Sequence, residues 1–331
     1  MHRVALSLRL SFKSVGFSLL ASLGGCTSGA ATPPATPPEA TVTAPPLTPT
    51  ASAQAPERPA PLALDQADRA RGGRLFDNWV AEKHLGDEFK PDQAKTPELD
   101  GAGGPLGNGT LKDGQGRPLA NTGHDYRLKN LFGWDLRGAA GIYGPKYHAK
   151  NFVLPINLLD DARSPEQLLE WLRRGDAQVP AYGDVLNDED LRDLVAFVTA
   201  FKTRQIPGPD AFFTLSENTP KNYRLVEGGN AEAGRSHIKR HCQGCHGEDG
   251  RRIPIDGSES LGSMARTSGY EVWLKVLDGQ PGTQMGRQVV EAAATQQIRD
   301  ILAALCDRTV YPPLTGADVP NGDPRCGAYL K

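Results

Sequence analysis

The sequence predicts an all-α protein, with two helical domains in tandem behind a disordered Ala/Thr/Pro-rich tether. Three observations carry that expectation. The chain has 331 residues, room for two modest domains at ~100–200 residues each. Each half closes on a segment with apolar residues at helical spacing: Leu191, Leu194, Val195 and Val198 in the first, Ile298, Ile301, Leu302 and Leu305 in the second. Landmarks of the second half also recur, in the same order, in the first. Hydrophobic residues make up 38% and mean hydropathy is −0.44, which excludes a polytopic membrane protein. A formal charge of −2 gives no long-range field for gripping nucleic acid.

The first element, residues 1–25, is an address. It carries Arg3, Arg9 and Lys13 with no acid, then an apolar run from Val15 to Leu23 that is too short to span a bilayer but suits a secretory signal. The run ends in Leu23-Gly24-Gly25-Cys26, which resembles a bacterial lipobox and makes Cys26 the expected lipidation site; an ordinary signal peptide with an incidental cysteine is the alternative. Cleavage would leave 34 Lys+Arg against 39 Asp+Glu, a formal −5. Residues 26–63 form the tether, with ten of the 27 prolines between Pro33 and Pro61 and no hydrophobic period. At ~3.1 Å per residue it could reach about 100 Å from a membrane.

The third element, residues 64–206, contains helical patterns at Arg71–Trp79, Pro165–Arg174 and Asp188–Phe201, the last opening on a capping acid. The fourth, residues 207–331, carries the strongest chemical signal. Cys242-Gln243-Gly244-Cys245-His246 is a C-x-x-C-H motif, the signature of covalent c-type haem attachment in an exported chain. Two cysteines three apart on one helical turn can each form a thioether to a haem vinyl group, and the next histidine turns its imidazole onto the iron. The rivals are a redox-active dithiol, which does not need the histidine, and half of a zinc site, whose second pair could only be Cys306 and Cys326. In an oxidising compartment the simplest fate of Cys306 and Cys326 is a mutual disulfide, with two free thiols as the alternative.

From about residue 216 to the end the chain resembles a class I cytochrome c. The resemblance implies a first helix at Ala231–Arg240 that packs Gly234 and Ile238 against the last helix, Ala292–Leu305. It implies a middle helix at Tyr270–Leu277 with Trp273 as a candidate haem-packing aromatic. The stretch Gly279 to Met285 is similar to the loop presenting the sixth-ligand methionine, so His246 and Met285 are the expected axial ligands, although Gly286 stands where the family has proline. Met264 is the alternative methionine; His237 and His241 leave bis-histidine ligation open. Pro254 resembles the position whose carbonyl accepts the ligand histidine's other ring proton.

Aligned on this pattern, the first half keeps the order of landmarks without their chemistry. Leu128 and Leu131 stand at the cysteine positions, Phe132 at the histidine and Val179 at the methionine. Residues 64–206 therefore read as a haem-less cytochrome c-like domain. Its pocket would be filled by segments 84–125 and 140–158, which contain Phe89, Tyr143, Tyr147 and Phe152. His84, His124 and His148 have no i,i+4 partner or nearby cysteine and are assigned no metal.

The implied function is a lipid-anchored, periplasm-facing electron carrier with one covalent haem c and a redox protein partner, alone or as the electron-transfer subunit of a larger oxidoreductase. A basic set around the motif (Arg235, Lys239, Arg240, Arg251, Arg252) suits an acidic partner. The alternative is a haem-based sensor or ligand-binding lipoprotein with an open sixth site. No phosphate loop, nucleophile elbow or paired metal-ligand set points to a catalytic centre.

Overall fold

In the computed structural model the described residues are 62–85, 111–117, 119, 126–143, 153–217, 219–255 and 257–331. The expected leader (residues 1–25), Cys26 and the expected tether as far as Pro61 lie outside them, as do Phe89, His124, Tyr147, His148 and Phe152.

Among the described residues the first half contains four α-helices: α1 (Arg69–Glu82), α2 (Leu128–Phe132), α3 (Pro165–Arg174) and α4 (Asp188–Lys202). Local chemistry sets their ends. Asp68 caps α1 by accepting from the Arg71 amide; Ser164 with Gln167, and Asn187 with Asp190, form capping boxes at α3 and α4. Pro165 occupies the first turn of α3, where its missing N–H costs nothing, and α3 stops at Gly175. The second half contains α5 (Ala231–His241), α6 (Gln243–His246), α7 (Leu261–Asp278) and α8 (Ala294–Leu305).

The two halves repeat one arrangement. The closing helix crosses the opening helix at a glycine: a Cβ on Gly72 would lie 2.0 Å from the Asp193 carbonyl oxygen, and one on Gly234 would lie 1.9 Å from that of Asp300. Beside each crossing a buried aspartate accepts from the opening helix's cap residue, Asp193 from the Asp68 amide at 2.8 Å and Asp300 from the Asn230 amide at 2.6 Å. The short helices α2 and α6 end alike, at Gly133 and Gly247. After α3 and α7 the chain turns back in the same way: the Asp176 amide bonds to the Val179 carbonyl and the Gln280 amide to the Met285 carbonyl, both at 2.8 Å. Gly175 and Gly279 open these turns at φ +66° and +102°, where a side chain would strike the returning carbonyl at 2.3 or 2.4 Å.

Between the halves runs a small element absent from the all-α expectation, an antiparallel hairpin of β1 (Phe213–Leu215) and β2 (Tyr223–Leu225). A two-stranded hairpin is marginal on its own. Here Phe213 and Tyr223 are buried and stack against Trp273 and Tyr270 with ring centroids 5.7 and 5.3 Å apart. The molecule is therefore mostly α rather than purely so.

Two further expectations are corrected. The middle helix of the second half begins nine residues earlier than Tyr270, at Leu261, and bends at Ser268 (φ −149°, ψ 49°); its first part, rich in small and polar residues, shows no amphipathic stripe in sequence. Trp273 faces away from the motif. It is fully buried against Phe201, Phe212 and Phe213 and joins the two halves into one core. The described residues, 62 to 331, belong to one compact unit. No described helix is long and apolar enough to cross a membrane.

Candidate functional site

Helix α5 begins at Asn230, whose side chain accepts from the Glu232 and Ala233 amides, and ends at Cys242. Cys242 also opens α6: its carbonyl accepts from the Cys245 and His246 amides at 3.2 and 2.9 Å. The whole motif thus occupies one tight turn, with Cys242 buried, Cys245 exposed and His246 half-buried. The turn is tied from outside by Arg252, whose amide donates to the His246 carbonyl (2.9 Å) and whose guanidinium donates to the Gly244 carbonyl (2.7 Å).

Cys242, Cys245 and His246 line a cavity of about 690 Å³ together with Met264 and Met285. That volume is within the range of small-molecule and cofactor sites. Much of its surface is aliphatic, from Ile255, Leu261, Val272 and Val276. The loop carrying Met285 is fixed at both ends of that residue: its carbonyl accepts from Gln280, and its amide donates to the Thr283 hydroxyl at 3.1 Å. The first half braces the same loop, since the Gly282 amide donates to Glu82 on α1 at 3.2 Å.

His246 Nδ1 is buried and has no hydrogen-bond partner. The carbonyl of Pro254, expected to accept its proton, does not do so, although Pro254 lines the cavity. Burial pushes the imidazole's pKa below its ordinary value, favouring the neutral ring that a metal binds. His237 is not among the residues lining the cavity, and its Nε2 donates to the Gln288 carbonyl at 2.8 Å. His241, by contrast, lines the cavity with its ring 4.4 Å from that of His237.

The rival chemistries fare differently. Cys306 and Cys326 are joined in a disulfide, with Cα atoms 5.9 Å apart, so they cannot complete a zinc site with the motif. Among the described residues no group of three or more His, Cys, Asp or Glu side chains could hold a metal ion. Burial pushes the Cys242 thiol up to about 11, away from the depressed values that activate redox dithiols.

The equivalent residues of the first half are buried. Leu128, Leu131 and Phe132 are 2% exposed or less, Val179 is fully buried, and Phe132 stacks on Trp171 at 5.8 Å. Trp79, at the place in α1 that His241 holds in α5, meets Tyr182 edge-on at 6.4 Å, and both donate to the Tyr126 carbonyl. Tyr143, expected as filler, is buried in the same core.

The residues that the sequence reading missed come from this half. Asp77 and Lys129 reach the cavity wall and meet Lys275 and Glu271 of α7 there. Asp77 bonds to Lys129 at 2.5 Å and to Lys275 at 2.8 Å. Burial alone would raise the Asp77 carboxyl, but the two ammonium groups overcome it and hold it down at about 2. Burial pulls the Lys129 ammonium down and pushes Glu271 up, with each partly countered by its opposite charges. The one local signal was Asp77 itself, an acid within the apolar stripe Leu75, Phe76, Trp79 and Val80. Comparison with family models, curated proteins and solved structures finds no match to this chain.

Proposed function

We propose that this chain is a monohaem c-type cytochrome of the cell envelope that carries electrons, with its haem attached at Cys242 and Cys245 and held by His246 and Met285. The observation that carries the reading is the convergence of the C-x-x-C-H turn and a fixed methionine loop on one largely aliphatic cavity. When bound, haem supplies a one-electron Fe(III)/Fe(II) couple.

The roles of the chain's own groups follow from their surroundings. The two thiols would tether the group. His246, whose pKa burial lowers, would offer a ring-nitrogen lone pair to a metal. Met285 offers a thioether from a loop whose backbone is pinned, which favours the reduced state over a second imidazole. Cys245 and Ile253 are exposed, which gives a partner protein an approach, and Lys239, Arg240 and Arg252 are exposed on the same segments and suit an acidic one. Residues 64–206 are read as a haem-less domain of the same type, and residues 1–25 with Cys26 as the leader and anchor that place the protein on the periplasmic side.

The experiment is a visible spectrum of the purified protein and of Met285→Ala. A low-spin spectrum in the parent that turns high-spin and CO-reactive in the variant supports His246/Met285 ligation. A low-spin spectrum surviving the substitution points to Met264 or His241. A parent already high-spin and CO-binding favours the sensor reading.

A further inference from the structure

The loop from Gly279 to Met285 lies open along its outer side: Thr283 and Gln284 are exposed and Met285 is half-buried. It is tied to the first half through the end of α1, and α1 does not run straight to that contact. Asn78 departs from helical geometry (φ −156°, ψ 85°), and its side-chain carbonyl accepts from the Ala81 amide at 3.2 Å, as an N-cap does from the third residue after it. The final turn, residues 79–82, thus restarts on its own cap. Behind it the chain closes in a Schellman motif, with the Leu85 amide bonding to the Val80 carbonyl (3.0 Å) and the His84 amide to the Ala81 carbonyl (3.1 Å). His84 takes the left-handed position at φ +55°, which glycine usually fills. A turn capped at both ends is locally fixed, and it presents two groups to the loop. The Glu82 carboxylate accepts from the Gly282 amide through Oε2 at 3.2 Å. The Ala81 carbonyl lies 2.6 Å from where a Cβ on Gly282 would stand, an approach that admits no side chain. Arg74 then links both ends of the contact: Nε donates to Glu82 Oε1 at 2.9 Å, and Nη1 donates to the carbonyl of Asp278, the last residue of α7, at 3.1 Å.

Resting on the function proposed above, we propose that the haem-less half clamps the methionine loop, with Glu82 as the positioning residue, held by Arg74, that governs how readily Met285 leaves the sixth position. Swinging the loop out far enough to withdraw Met285 breaks the bond from Gly282 to Glu82. A bond made only in the closed state shifts the balance between closed and open by its own strength. Its acceptor is a carboxylate only 11% exposed, so the bond is charge-assisted and little screened. The task needs no cofactor in the first half. It needs the end of α1 in fixed register with α7, which Arg74 and the Arg69–Asp278 pair at 2.8 Å supply, together with Gly73, where a Cβ would lie 2.2 Å from the Asp278 carboxylate.

The test uses the full chain in the oxidised state, with haem content checked by pyridine haemochrome and imidazole as the probe. Imidazole can take the sixth position only when Met285 has left, so its apparent affinity scales with the open fraction. Glu82→Ala should bind imidazole about tenfold more tightly than the parent, the factor expected when the closed state loses one charge-assisted bond. Glu82→Gln, of the same shape, keeps an oxygen for Gly282 and should fall between the two. Leu168→Ala hollows the core of the first half on α3, lowering stability without touching the clamp, and should bind imidazole like the parent. The Gln280 amide, bonded to the Met285 carbonyl, reports loop opening directly, and its hydrogen exchange should accelerate in Glu82→Ala by a similar factor. Haem-loaded Glu82→Ala protein whose imidazole affinity stays within about twofold of the parent would overturn the proposal and leave the haem assignment intact, as would a Leu168→Ala protein that tightens as much. A parent chain without haem, or one whose low-spin spectrum survives Met285→Ala, would overturn the reading on which the proposal rests.

Discussion

The close crossings at Gly234 and Gly72 make a prediction whose sign is decisive. Ala is a better helix former than Gly by ~1 kcal/mol, so Gly234→Ala should stabilise an unobstructed α5. It is obstructed. The new methyl would sit 1.9 Å from the Asp300 carbonyl oxygen, 2.4 Å from its carbon and 2.8 Å from Ala304 Cβ, and the first two are helix backbone that cannot rotate aside. Restoring a tolerable distance moves α8 away by roughly 1 Å and stretches the Asn230–Asp300 hydrogen bond. Overpacking of this kind costs ~1–3 kcal/mol and exceeds the propensity gain. A net loss of about 1–2 kcal/mol is expected, read as a lower urea midpoint with an unchanged slope by far-ultraviolet circular dichroism. A Gly234→Ala protein as stable as the parent, or more so, would refute the close crossing. Gly72→Ala, at 2.0 Å from the Asp193 carbonyl, should behave alike.

Other tests address the filled first half and the junction. Leu128→Cys/Leu131→Cys/Phe132→His restores the motif in the first half, yet the chain should still carry one haem, because Trp79, Tyr182 and Val179 occupy that core; two haems by pyridine haemochrome would contradict the packing account. Asp278, buried where α7 meets α1, is pushed by burial up to about 7 despite its bond from Arg69 at 2.8 Å. The folded state then holds a proton that the unfolded chain has released between about pH 4 and 7, so stability falls as pH rises through that window. The slope approaches 1.4 kcal/mol per pH unit at most, flattening on either side. Asp278→Asn should remove this dependence; an unchanged pH profile of thermal unfolding would refute it.

How much was legible in the sequence follows from how local each signal is. Helix α3 spans Pro165–Arg174 as expected because its capping box, its N-terminal proline and its terminal glycine all lie within or beside it. The motif turn was also legible, since its five residues are contiguous, whereas Val179 was matched to the methionine position through the family resemblance and not through spacing; in the structure Val179 and Met285 each close the turn after their helix. The early start of α7 was not, because Leu261–Thr267 is helical through its packing rather than its pattern: Arg266 is wholly buried and bonds to the Leu305 and Tyr311 carbonyls. Trp273 was misassigned for a geometric reason. Val272 and Val276 face the cavity, whereas Trp273, about 100° further round from Val272, points into the junction of the halves. The charged wall depends on pairs such as Asp77 with Lys275, 198 residues apart, and no local pattern encodes such a meeting.

The central claim is one covalent haem on this chain, and a haem count after acid–acetone extraction tests it most directly. The account predicts one haem per polypeptide, resistant to extraction, with a pyridine haemochrome of the two-thioether type that is lost in Cys242→Ala/Cys245→Ala. An extractable haem, two haems, or a pure folded protein with none after expression with a cytochrome c maturation system would contradict it.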